Sequence, residues 1–289
     1  MRVLLFTDGY GGARRATTWL ARFAPVEPSV LRIVAVAQTP RLPTKFASAL
    51  RSVRKVVLER SRHLCDEART GLEGHWPDLS VDVIEGDPHE RLLRAAEEWK
   101  PELVVLGRSA SSEPSTSLGS VARLGGYHLE CSVLVVDRVP EGVREIVLGM
   151  DGSPSAREAT RLLSRFSFTP PPRVRALGIV NTSWRRNVDL EDVAPAVGSA
   201  LDEAEMLEAA ERRAMLARAT APLVDRAMVE SEVVIGSPAE VLLSAARQPA
   251  VDLIAVGHQG LEPVRRLSLG SVTAQLLVSV PCSLLIGRK

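Results

Sequence analysis

The chain has three cysteines in 289 residues, Cys65, Cys131 and Cys282, with neither CxxC spacing nor an even count. That argues against a thiolate zinc site and a disulfide framework, and it fits a reducing compartment. Net charge is missing as well, since 36 Lys and Arg face 35 Asp and Glu. No overall field attracts nucleic acid or an anionic membrane, so neither is expected as a partner. Long apolar runs are absent too. None reaches the roughly 18 residues of a membrane helix, and the opening "MRVLLFTDGY" carries one basic residue and an apolar run that stops at Asp8, too short for a secretory signal. A soluble, cytoplasmic protein is expected. Common nucleotide and adenylation signatures are also missing: there is no GxxxxGK[ST], HxGH or SGGxDS string, and "GYGGAR" at Gly9 has Arg14 where GxGxxG needs glycine.

What is present is an internal repeat. "VLLFTDGYGGARRATTWLARF" from Val3 aligns without gaps to "IVLGMDGSPSAREATRLLSRF" from Ile146, with 10 of 21 positions identical. "VIEGDPHERLLRAA" from Val83 matches "VVIGSPAEVLLSAA" from Val233, "LGSVA" from Leu118 matches "LGSVT" from Leu269, and Cys131 pairs with Cys282 in the same order. The period of 143 to 151 residues is far beyond the roughly 20 to 50 of solenoid units, so each half is a complete domain. The expected domains are residues 1–138 and 143–289, joined by "DRVPEGVRE" at 137–145, where Pro140 and Gly142 interrupt the apolar pattern.

Within each half, short apolar runs alternate with helix-period stretches, the βαβ pattern of a parallel sheet covered by helices. In the second half strands are expected at 144–150, 173–181, 228–235, 252–257 and 283–287. Runs such as "LIAVG" are apolar at successive positions, as suits strands buried on both faces. "SAREATRLLSRF" and "PAEVLLSAARQ" have helical spacing, with Pro238 in a first turn, and 199–221 reads as a longer charged helix. "NTSWRRNVDLEDVAPAV" reads as a loop, with Trp184 as an anchor or an interface residue. The fold class is therefore α/β, two tandem Rossmann-like domains with five parallel strands each.

In an open α/β sheet, ligands bind beyond the carboxyl ends of the strands. There the second half carries "VGHQGLEPVRRLSLGS", residues 256–271. Gly257, Gly260 and Gly270 are expected to allow positive φ and close backbone approach. The amides around Gly270, Ser271 and Val272 open a helix whose dipole favours a phosphate. Punctuating glycines with Ser271 as a helix cap are the plainer reading. Arg265 and Arg266 are candidates for phosphate contact or for a solvated face. "RRLS" at 265–268 resembles a basic-directed kinase site only as a short string, and His258 reads as an exposed loop histidine.

The spacing of glycine, two residues, glycine, nine residues, Gly-Ser after a buried strand resembles the ATP-binding motif of the universal stress protein family. "VLGMDGSPSA", "VVIGSPAEVLL", "DLIAVGHQG" and a Cys-led last strand extend the likeness along the chain. The resemblance implies sheet order 3-2-1-4-5 and ATP as ligand, with Mg²⁺ as its companion ion. It implies that Asp151 contacts the nucleoside, that the backbone of Val180 contacts adenine, and that Gly257, Gly260, Gly270, Ser271 and Val272 hold phosphates. Asp151 in "DGSPS" also suits an Asx turn.

The first half keeps Asp8, Gly107, Gly119, Ser120 and Val121. It has Ala110 for the middle glycine, a loop one residue shorter, Tyr10 for Ser153, and Glu113, whose charge opposes a triphosphate. A weak or empty first site is expected. No paired carboxylates or other positioned base and nucleophile are visible, so no catalytic residue is assigned and at most slow ATP hydrolysis is expected. The reading is an ATP-binding stress-response or regulatory protein. The alternative is a scaffold in which the two domains pack as a pseudo-dimer on a protein partner without nucleotide. A homodimer of the tandem chain is also open, since sheet edges must be covered.

Overall fold

The computed structural model describes residues 1–40, 47–109, 118–182, 195–260 and 269–289. The chain divides into two compact units, Met1–Val139 with Arg165–Ser167, and Pro140–Ser164 with Phe168–Lys289.

In the first unit β1 (Arg2–Thr7), α1 (Gly11–Arg22), β2 (Val30–Ala37), α2 (Ala47–Thr70), β3 (Asp78–Glu85), α3 (Pro88–Trp99), β4 (Leu103–Gly107), α4 (Ser120–His128) and β5 (Ser132–Val136) alternate. The sheet order is β3-β2-β1-β4-β5, with every pairing parallel. The second unit repeats the plan with β6 (Glu145–Met150), α5 (Pro154–Leu163), β7 (Arg173–Asn181), α6 (Pro195–Ala219), β8 (Met228–Gly236), α7 (Pro238–Ala246), β9 (Val251–Gly257), α8 (Ser271–Ser279) and β10 (Ser283–Gly287). Its order is β8-β7-β6-β9-β10, again parallel. The 3-2-1-4-5 order therefore occurs in both halves.

The central strands are apolar because helices cover both faces. Val3, Leu4 and Leu5 of β1 and Leu253, Ile254 and Ala255 of β9 are all 1% exposed or less. Consecutive buried residues, rather than alternating ones, are what a two-sided core requires. Helix starts are encoded locally. Asp87 accepts hydrogen bonds from the amides of His89 and Glu90 ahead of Pro88, and Ser153 accepts one from Ala156 ahead of Pro154. Proline at the first helical position loses no bond, because that amide has no partner within the helix.

The charged helix α6 starts four residues earlier than expected, at Pro195, and stops at Ala219, followed by a 3₁₀ turn at Ala221–Leu223. Pro222, which cannot continue an α-helix, lies in that turn. None of the three cysteines is in a disulfide. Burial pushes the Cys65 thiol up to about 11, which makes it a poor nucleophile near neutral pH. Among the described residues no helix is long and apolar enough to cross a membrane.

Candidate functional site

In each unit the central strand and its neighbour in the 4 position end side by side, and a cleft opens beyond their carboxyl ends. In the second unit it measures about 680 Å³ and is lined by Asp151, Ile179, Asn181, Arg212, Gln259, Gly260, Gly270, Ser271 and Val272, among others. The fold thus brings the expected Asp151, Gly257, Gly260, Gly270, Ser271 and Val272 to one cavity.

Asp151 splits its carboxylate between two tasks. Its Oδ1 accepts a hydrogen bond from the Ser153 amide at 2.8 Å, closing the Asx turn. Its Oδ2 faces Gly260 across the cleft, where an added Cβ would lie 3.2 Å from it. The chain turns away at once because Gly152 takes φ +85°, a region costly for any residue with a Cβ.

The motif glycines act differently from the sequence expectation, for none of Gly257, Gly260 and Gly270 has positive φ. Gly257 is needed for packing. A Cβ there would meet Ser155 Oγ at 2.5 Å and the Ala156 amide at 2.7 Å, so helix α5 can start against the end of β9 only over a bare Cα. Gly270 is the N-cap of α8 with φ −61°, and its amide donates to the His258 carbonyl at 2.8 Å. Its N–H is therefore spent inside the loop and is not a phosphate donor. Ser271 and Val272 supply the first amides of α8, which have no partner inside a helix.

Ser271 is consequently the first helical residue and not the cap. Side chains pin the loop from both sides. Ser155 Oγ donates to the Gln259 carbonyl at 2.8 Å, and Thr273 Oγ1 donates to the Gly257 carbonyl at 2.7 Å.

Val180 is 1% exposed, and its strand neighbours Ile179 and Asn181 line the cleft in its place. Arg212, which sequence reasoning passed over, reaches the cleft from α6 and pairs with Glu208 at 2.7 Å. Charges recur all around α6, so no periodic signal identifies the turn that faces the site. His258 is not exposed as expected. Burial pushes its imidazole below the usual pKa, Arg288 adds to that shift, and its Nδ1 is buried without a hydrogen-bond partner.

The first unit has a smaller cleft of about 370 Å³, lined by Asp8, Gly107, Gly119, Ser120 and Val121 together with Tyr10, Gln38, Leu64 and Ser109. Asp8 Oδ1 accepts from the Tyr10 amide at 3.0 Å, and the Gly119 amide donates to Arg108 at 2.7 Å, so both the turn and the spent cap amide recur. The differences lie above the floor. The Leu64 side chain presses on Gly9, whereas Met215 over Gly152 stands farther off, and the Ser109 carbonyl settles onto Gly12, which replaces Ser155. Tyr10 caps α1 without a side-chain hydrogen bond and is 52% exposed. Ala110, Glu113, Trp184, Arg265, Arg266 and the "RRLS" string lie outside the described residues. Among the described residues no group of three or more His, Cys, Asp or Glu is placed to hold a metal ion.

Comparisons with known proteins complete the description. The model of the universal stress protein family matches residues 1–137 and again 142–288. A universal stress protein from Archaeoglobus fulgidus DSM 4304 is 16% identical, covering 99% of this chain and 98% of its own, with a TM-score of 0.64. A functionally unknown protein from Pseudomonas aeruginosa PAO1 is 12% identical over 99% of this chain and 92% of its own, at TM-score 0.60. A universal stress protein family protein from Arabidopsis thaliana, with AMP bound, is 15% identical over 49% of this chain and 94% of its own, at TM-score 0.36. No protein of curated function matches.

Proposed function

Because the chain belongs to the universal stress protein family, whose model matches both halves, we propose that it is a nucleotide-binding regulatory protein of the stress response that holds ATP in its second domain. The observation that carries this reading is the cleft at the end of β6 and β9. It brings Asp151, with Oδ2 unshared, and the first residues of α8, Ser271 and Val272, to one cavity of about 680 Å³, a size typical of small-molecule sites.

Asp151 Oδ2 is an acceptor suited to the sugar hydroxyls, as acidic residues at strand ends are in other Rossmann-like sites. The Ser271 and Val272 amides, the Ser271 hydroxyl and the dipole of α8 suit the phosphates. Ile179 and Asn181 offer the base an apolar surface and a polar edge, with Val180 contributing only its backbone. The bare Cα of Gly260 leaves the opening between the two sides clear.

Among the described residues Asp151 is the only carboxylate lining the cleft, so Mg²⁺ would be held mainly through the phosphates, as is common for this ion. ATP supplies a transferable phosphoryl group when bound. The protein groups described around it are suited to bind and orient it.

The test is to denature purified protein, separate released adenine nucleotide by chromatography, and titrate ATP into nucleotide-free protein. One equivalent per chain is expected. Two equivalents would show that the smaller first cleft is used. Neither released nor titratable nucleotide would refute the reading in favour of a scaffold for a protein partner.

A further inference from the structure

A second polar cavity lies in the first unit on strands β2 and β3 beside helix α3, apart from the cleft described above. It measures about 210 Å³ and is lined by Arg32, Asp82, Arg91, Arg94 and Glu98 with Val34, Ile84 and Ala95 beneath. Three guanidinium groups thus surround one small space. Two of them are already matched: Arg32 Nε donates to Asp82 at 2.5 Å and Arg94 Nε to Glu98 at 2.7 Å. Arg32 is further steadied 5.9 Å above the Trp99 ring.

Arg91 is the cation left over. Among the described residues no carboxylate lies within ion-pair distance of it, and its Nε is sealed from solvent without a hydrogen-bond partner. The burial has a clear cause. Gly86 takes φ +144° at the end of β3, and the Arg91 side chain lies in the space where any Cβ on Gly86 would stand.

We propose that this cavity is a site for a compact phosphate-type oxyanion, held by Arg91 with Arg94 and Arg32 around it. Two carboxylates against three arginines leave one positive charge. With no carboxylate partner, the Arg91 guanidinium has its terminal nitrogens to offer, and an oxyanion of tetrahedral shape accepts charge-assisted hydrogen bonds from them. The arginines that are already paired are pre-ordered, so less side-chain freedom is lost on binding.

The second unit supplies an internal control. Val241 stands at the position of Arg91 and Ser244 at that of Arg94, and a Cβ on Gly236 meets a Val241 methyl at 3.3 Å. The fold therefore does not need arginine at either place. The site is independent of ATP binding in the second unit.

The experiment titrates inorganic phosphate into the full chain saturated with ATP, by calorimetry at low salt, with Arg91→Val/Arg94→Ser and Arg91→Lys beside it. The double variant copies the residues of the second half, and circular dichroism checks that it is folded. Wild type should bind phosphate, and the double variant should bind about tenfold or more weakly, the effect of losing a charge-assisted bond. Arg91→Lys should lie between them, since it keeps the charge and loses the planar fork of the guanidinium. Glycerol phosphate in place of phosphate tells a monoester site from one for the free anion, and binding of either supports the proposal. It is overturned if wild type binds neither anion, or if the folded double variant or Arg91→Lys binds as wild type does.

Discussion

Replacing Asp151 by Asn separates the two tasks of this side chain. The amide oxygen of Asn can still accept from the Ser153 amide, a bond of 2.8 Å in the native protein, and Asn suits the first position of an Asx turn as well as Asp does. The turn into α5 should survive, with stability changed by no more than about 0.5 kcal/mol. On the other side, Oδ2 becomes an NH₂ group. On the proposed reading an acceptor for the sugar hydroxyls becomes a donor, and the charge that strengthens the bond is gone.

A hydrogen bond to a charged group is worth about 1.5–3 kcal/mol, so ATP affinity should fall by between about tenfold and about 150-fold. Loss of a negative charge near the phosphates acts in the opposite direction. That repulsion crosses solvated space and is screened by salt, so at physiological ionic strength the lost bond should dominate. The assay is calorimetric titration of ATP into nucleotide-free wild type and Asp151→Asn, with thermal unfolding of both run without ligand. Equal ATP affinity in a variant of equal stability would refute the placement of Oδ2 against the nucleoside. Equal loss of affinity and stability would mean that Asp151 serves the turn alone.

Two motif glycines should fail in different ways. Gly257→Ala should cost about 1–3 kcal/mol in urea unfolding, because its methyl collides with α5 and overpacks a rigid contact. Gly260→Ala should leave stability nearly unchanged and weaken ATP in titration, since its Cβ stands 3.2 Å from Asp151 Oδ2 within the opening. Ser155→Ala removes the bond to the Gln259 carbonyl and should cost about 0.5–1.5 kcal/mol, with weaker ATP binding as the loop loosens; full affinity would mean that Thr273 holds the loop alone. His258 predicts a pH effect. Its folded pKa lies below the unfolded value because burial, and then Arg288, disfavour the cation. The unfolded chain therefore takes up the proton first. Stability should fall as pH drops below about 6.5 and should stop falling once the folded pKa is passed. His258→Gln should flatten that part of the melting temperature against pH, and an unchanged profile would rule the histidine out.

The strands were legible almost to the residue, since 173–181 and 283–287 coincide with β7 and β10. Each has an unbroken apolar centre, and Pro172 and Pro281 stand just before them. Strand order was not legible from periodicity, because a strand's own pattern does not record which strands lie beside it; it came from family resemblance. The site was legible as a place and less so as chemistry. Glycine in a sequence records that a Cβ is excluded and does not record by what. At Gly257 the excluder is helix α5, and at Gly270 a Cβ would approach the His258 carbonyl at 3.1 Å. The first excluder lies outside the motif, and the second is the motif loop folding back on itself. Arg212 and Met215 come from a helix far along the chain, and their approach to the cleft depends on how that helix lies on the sheet.

The same distinction explains how the first half keeps most of its motif and loses room. Asp8 closes the turn and Gly119 caps α4 by the bonds that Asp151 and Gly270 make in the second half. Those contacts are structural in both copies, so retaining them says little about a ligand. The positions that changed lie around the cleft: Gly12 for Ser155 lets the next loop settle, and Leu64 for Met215 presses on the glycine after the aspartate. Two exchanges of side-chain size, neither in the glycine motif, accompany a cleft of about 370 Å³ where the other copy has about 680 Å³. For a duplicated domain of this kind, binding is better judged from the residues over the site than from the motif beneath it.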